Sequence, residues 1–121
     1  MGAVVTSRLR LPLIALAALM IAGSGAAVAA PQSFSVELAG GRVKGGSDTL
    51  KVHQGDQVQV RVRSDRPVVL HLHGYELETR VAPPEAAVMS FKADLPGRFP
   101  VHEHREGAGN HRAVLFIEVH P

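Results

Sequence analysis

From Pro31 onward, apolar and polar residues alternate in short runs broken by turn formers. Val58, Val60 and Val62 are interleaved with Gln57, Gln59, Arg61 and Arg63. This period of two places one face of a strand in a core and the other in water. Phe34 to Leu38 alternates in the same way and stops at Gly40-Gly41; Thr49 to Val52 is a second run, closed by Gln54-Gly55-Asp56. After the turn at Ser64 to Pro67, Val68, Leu70 and Leu72 share one strand face, and Val69, His71 and His73 share the other. Pro83-Pro84 marks a loop, with a turn of helix around Pro84 to Ala87 as the single helical candidate, and Ala87 to Ala93 predicts another strand. Beyond Leu95-Pro96-Gly97, Phe99 and Val101 face one way while Arg98, Pro100, His102 and His104 face the other. Glu106 to Asn110 reads as a loop, and Ala113 to Val119 closes the chain as an apolar, β-branched strand. The pattern therefore predicts an all-β Greek-key sandwich or small barrel of seven or eight strands.

The first 29 residues lack this pattern. Arg8 and Arg10 precede a short apolar stretch, Leu11 to Ile21, and Ala27-Val28-Ala29 forms a small-x-small site. That arrangement predicts a signal peptide cleaved after Ala29, leaving residues 30–121 as one exported domain, periplasmic or extracellular. The apolar run is shorter than the roughly 20 residues of a membrane-spanning helix, so no span is expected after cleavage.

The leader also alters the charge. Of 13 basic residues, Arg8 and Arg10 leave with it, so 11 remain against 11 acidic ones, all of which lie beyond Ala30. The basic isoelectric point of the whole chain is thus no footprint of nucleic acid, which is not an expected partner. The chain has no cysteine. A disulfide staple, a thiolate nucleophile, an iron–sulfur cluster and a thiolate-bound blue-copper centre are all excluded.

Candidate chemistry lies in the histidines. Five of the seven fall in His71-Leu72-His73, His102-Glu103-His104 and His111. On a strand, residues i and i+2 share a face, so each His-x-His can direct two imidazoles one way. Two such pairs at neighbouring strand ends could hold a metal. Without sulfur, an imidazole and oxygen site suits copper, with zinc as the alternative, and copper binds most tightly of the divalent first-row ions. Glu103 or Glu106 could supply an oxygen or orient a histidine. Affinity is expected to fall below about pH 6.5, where imidazoles protonate. His53 and His120 stand apart and read as solvated, Tyr75 as a rim residue capping the core, and the Glu76/Glu78 and Glu103/Glu106 spacings as surface carboxylates. No serine lies in a nucleophile elbow, so an enzyme is not the expected reading.

Several stretches resemble the cupredoxin family across nearly all of residues 30–121. Val52-His53-Gln54-Gly55-Asp56-Gln57-Val58 is similar to the family's glycine–aspartate turn. His71, with Tyr75 and Glu76 following, falls where the family places its first histidine ligand, and Pro96-Gly97-Arg98-Phe99 is similar to the lead into its ligand loop. In that loop Glu103 stands at the thiolate position, Glu106 at the second histidine and His111 at the axial methionine. His71-Leu72-His73-Gly74 and Gly97 to His104 also resemble the two histidine motifs of the first domain of multicopper oxidases; the later oxidase motifs are absent. The resemblance implies a cupredoxin-like sandwich that binds or carries copper on imidazoles, with a metal ion and an exported protein as partners. Two other readings use the same residues: a metal-free interaction module and a small copper enzyme.

Overall fold

A computed structural model describes residues 2–4, 23, 31–104 and 112–121 of the chain. Of the leader expected over residues 1–29, residues 2–4 and 23 alone are described, and the loop residues Glu106 to His111 lie outside the described residues. The described part contains nine strands and no helix: β1 (Gln32–Ala39), β2 (Arg42–Val43), β3 (Thr49–His53), β4 (Gln57–Ser64), β5 (Val68–Leu72), β6 (Leu77–Val81), β7 (Ala87–Lys92), β8 (Gly97–His104) and β9 (Arg112–His120). Among those residues, no helix is long and apolar enough to cross a membrane.

The strands form two sheets, ordered β2-β1-β4-β7 and β3-β9-β8-β5-β6. β1 runs parallel to β4, and β3 parallel to β9, while the other pairs are antiparallel. Parallel neighbours arise because the chain crosses repeatedly from one sheet to the other, so strands distant in sequence come to lie side by side. The result is the expected all-β cupredoxin-like sandwich.

Period-two alternation becomes burial with little change. Val58, Val60 and Val62 are essentially inaccessible, and Gln57, Gln59, Arg61 and Arg63, which alternate with them, are exposed. Leu70 and Leu72 of β5, Val101 of β8, and Leu115 and Ile117 of β9 complete the same core from the other sheet. With no disulfide, this interdigitated aliphatic layer supplies the stability.

Two local expectations are corrected. Pro84 to Ala87 forms no helical turn: the chain turns at Pro83 to Glu85 and β7 begins at Ala87. β6 was not foreseen, because Leu77-Glu78-Thr79-Arg80-Val81 has only two strongly apolar residues. It forms because its inward residues, Thr79 and Val81, pack under the sheet while its backbone completes the ladder to β5.

Candidate metal centre

The β5 pairing register fixes the site. Across β8, β5 and β6, His104, Val69 and Arg80 make one row, and His102, His71 and Glu78 make another. Directly paired residues share a sheet face. Leu70, Leu72 and Val101 occupy the core face, so the imidazoles of His71, His102 and His104 lie on the outer face of the five-stranded sheet. His73 follows β5, and its backbone N–H donates to the Pro100 carbonyl at 3.1 Å, which carries the pairing one residue past the strand.

Four of the five predicted histidines therefore meet in one half-buried patch. His71 Nδ1 lies 3.3 Å from His73 Nε2. The His71 and His104 ring centroids are 5.5 Å apart, and those of His73 and His102 are 4.4 Å apart. His71, His73 and His104 each offer a nitrogen, all within 4.8 Å of one another. Nitrogens bound at about 2.0–2.1 Å to one ion, with tetrahedral or square angles, lie roughly 2.9–3.4 Å apart. The His71/His73 separation already meets that spacing, and the His104 nitrogen lies within 4.8 Å of both. These three residues fit a divalent ion that accepts imidazole, and His102 packs its ring against His73 beside them.

The other expected residues divide. His111 and Glu106 lie outside the described residues. Glu103 is paired with Leu70 on the inner face and is buried, so alternation removes it from the imidazole side. Both its oxygens contact Arg66 Nη2, at 2.9 and 3.2 Å, and Arg66 Nε is buried without a hydrogen-bond partner. Glu103 thus anchors the sheet beneath the patch rather than supplying an oxygen to it. His53 and His120 pair across β3 and β9, away from β5, and His120 Nε2 lies 2.8 Å from Glu118.

Sequence reading missed a carboxylate beside the patch. Glu76 Oε2 lies 3.5 Å from His71 Nε2. With Nδ1 of that ring facing His73, a carboxylate at Nε2 favours the tautomer that leaves Nδ1 free to bind an ion. Glu76 adopts a φ of +48°, a region costly for a side chain with a Cβ. Gly74, at φ +85°, lies under the Phe99 ring, where an added Cβ would stand 2.4 Å from Phe99 Cδ1. Tyr75 packs between Phe91 and Phe99; its hydroxyl donates to the Leu95 carbonyl at 2.8 Å and accepts the Leu95 N–H at 3.0 Å. The expected rim role of Tyr75 thus becomes a specific one, pinning the turn that carries His73 and Glu76.

Two outcomes follow from this turn. Tyr75→Phe is expected to cost about 1 kcal/mol, the net worth of an exposed hydrogen-bond pair, measurable by urea unfolding. Glu76→Ala is expected to weaken metal binding about tenfold, the low end for an outer partner of a ligand because this carboxylate is largely exposed, while Glu76→Gln retains an acceptor and most of the affinity. Equal affinities in all three proteins, by isothermal titration, would remove Glu76 from the site.

No known protein family's sequence profile matches the chain, and no curated protein matches it. Solved structures do. The chain is similar to a chain of a heme-copper terminal oxidase dimer, with 21% identity and a TM-score of 0.60 over 73% of this chain and 64% of that one. It is similar to a copper binding protein solved in its apo form, with 10% identity and a TM-score of 0.57 over 72% and 85% of the two chains. It is also similar to the copper nitrite reductase from Nitrosomonas europaea, with 17% identity and a TM-score of 0.58 over 76% of this chain and 42% of that one. The chain spans less than two thirds of the terminal oxidase chain and less than half of the reductase. All three have the cupredoxin fold, and this chain shares it.

Proposed function

We propose that this chain is an exported copper-binding protein that holds or carries Cu(II) on His71, His73 and His104. The observation that carries the reading is the convergence of these three imidazole nitrogens on one outer-face patch. Neutral imidazoles on a cysteine-free scaffold suit Cu(II) or zinc, and bound Cu(II) would supply a reversible one-electron couple or a cargo ion. The chain's own residues do the rest. β5 and β8 set the spacing, the Gly74–Tyr75 turn fixes His73, and Glu76 orients His71. Copper named for the similar copper binding protein agrees with this donor set.

Titration of the purified chain with Cu(II), followed by electron paramagnetic resonance, tests the reading. One tightly bound equivalent with nitrogen hyperfine structure is expected. Absence of stoichiometric binding would leave a metal-free interaction module as the reading, and a stronger response to zinc would change the ion. Export has its own check: mass spectrometry of the product outside the cytoplasm is expected to show a chain starting at Ala30.

A further inference from the structure

We propose that the metal centre takes a small carboxylate anion as a co-ligand, held by the guanidinium of Arg80 in the cleft beside His104. The inference rests on the metal reading for its purpose, and on a separate feature for its evidence. A cleft of about 580 Å³ lies against the patch and is lined by Arg66, Pro67, Val69, Arg80, Val81 and His104, with Val68 and Ala82 completing its walls. Among the described residues, its side chains are two guanidiniums, one imidazole and otherwise apolar groups, none of them acidic.

Register explains the arrangement. His104, Val69 and Arg80 are paired neighbours on β8, β5 and β6, so Val69 forms a floor with an imidazole on one side and a guanidinium on the other. Two strand spacings separate the backbones bearing them, roughly 9–10 Å. The proposed carboxylate lies between these two side chains, with one oxygen for the ion and the other for the guanidinium.

Charge supplies the driving force. Three neutral imidazoles leave both positive charges of Cu(II) uncompensated. Among the described carboxylates, Glu103 lies on the opposite sheet face against Arg66, Glu76 faces the far nitrogen of His71, and Glu78 stands in the next row, opposite His71, without an ion pair to Arg80. Arg80, by contrast, makes no ion pair among the described residues, and it is exposed. An anion between the ion and Arg80 satisfies both, and Arg forks match carboxylates in two hydrogen bonds. The apolar floor favours an organic acid with a short carbon body over a fully hydrated inorganic anion.

The test uses acetate as the probe on the full chain, with chloride at matched ionic strength as reference. In metal-free protein, acetate is expected to shift the Arg80 side-chain N–H and His104 ring signals saturably, and Arg80→Gln is expected to abolish the response. With Cu(II), acetate is expected to tighten copper binding about fivefold or more in the parent, with reciprocal tightening of acetate by copper, and this enhancement is expected to vanish in Arg80→Gln. Acetate free in solution competes for copper, so a tightening has the opposite sign to the bulk effect. If copper binds but acetate neither shifts those signals nor tightens the metal, or does both equally in Arg80→Gln, the inference is overturned. If copper fails to bind while the metal-free response depends on Arg80, the metal reading falls and the anion cleft stands.

Discussion

Saturating copper is expected to raise the thermal midpoint of the parent chain by roughly 10–20 °C and to leave the combined His71→Ala and His104→Ala variant unmoved. The size follows from mass action. A ligand present at a hundred times its dissociation constant, and bound only to the folded state, stabilises by about 2.7 kcal/mol. In a domain of this length, each kcal/mol shifts the midpoint by about 4–8 °C. The two replacements act at opposite ends of the site, since His71 belongs to β5 and His104 ends β8. Either ring alone with His73 would keep a two-point chelate; removing both leaves, among the described residues of the patch, His73 with the flanking His102. Both rings sit on the outer face, so the variant is expected to fold with a metal-free midpoint close to the parent's. Differential scanning calorimetry with and without copper measures the effect. The parallel variant His53→Ala with His120→Ala, at the other histidine pair, is expected to keep the full copper shift. An equal shift in all three proteins would place the ion elsewhere.

The second large effect concerns Arg66 beneath the patch. Arg66→Leu is expected to cost about 3 kcal/mol, in the range for breaking a buried ion pair from one side. The asymmetry of exposure decides which partner matters more. The Glu103 side chain is 8% exposed, whereas that of Arg66 is 33% exposed. Without the guanidinium, the carboxylate stays in a poorly solvated position; without the carboxylate, the guanidinium can turn toward water. Glu103→Leu is therefore expected to cost about 1 kcal/mol, less than its partner's loss. The double replacement is expected to recover to within about 1 kcal/mol of the parent, because two apolar side chains replace a pair whose attraction is offset by desolvation. Urea unfolding of the four proteins forms the cycle. An Arg66→Leu protein as stable as the parent would show that the pair contributes nothing to the sheet.

The same pair shows where sequence reasoning reaches its limit. His102-Glu103-His104 reads on paper as three adjacent ligand candidates, and Glu103 is the residue nearest both histidines in the chain. Strand alternation separates them: the two rings face outward and the carboxylate inward. Alternation within β8 was legible, because Val101 and Phe99 already opposed His102 and His104. The inward carboxylate was not, since an acidic residue on a core face is unexpected until its partner is known, and Arg66 is 37 residues away. Glu76 is the converse case. It looked like a solvated surface acid, and it approaches His71 only because the Gly74–Tyr75 turn folds back over Phe99.

Sequence alone determined the all-β class, the position of most strands, the cysteine-free chemistry and the shared direction of the two rings within each His-x-His. These follow from local rules: period-two burial needs no partner to be read, and His-x-His on a strand gives its two rings one direction. Only the tertiary structure decided that β5 and β8 are neighbours, that the patch lies on the outer sheet face with Arg80 across a cleft, and that Glu76 rather than Glu103 attends it. Those facts depend on which strands pair and in which register. Long-range backbone hydrogen bonding and core packing set that choice, and no single stretch of the chain encodes it.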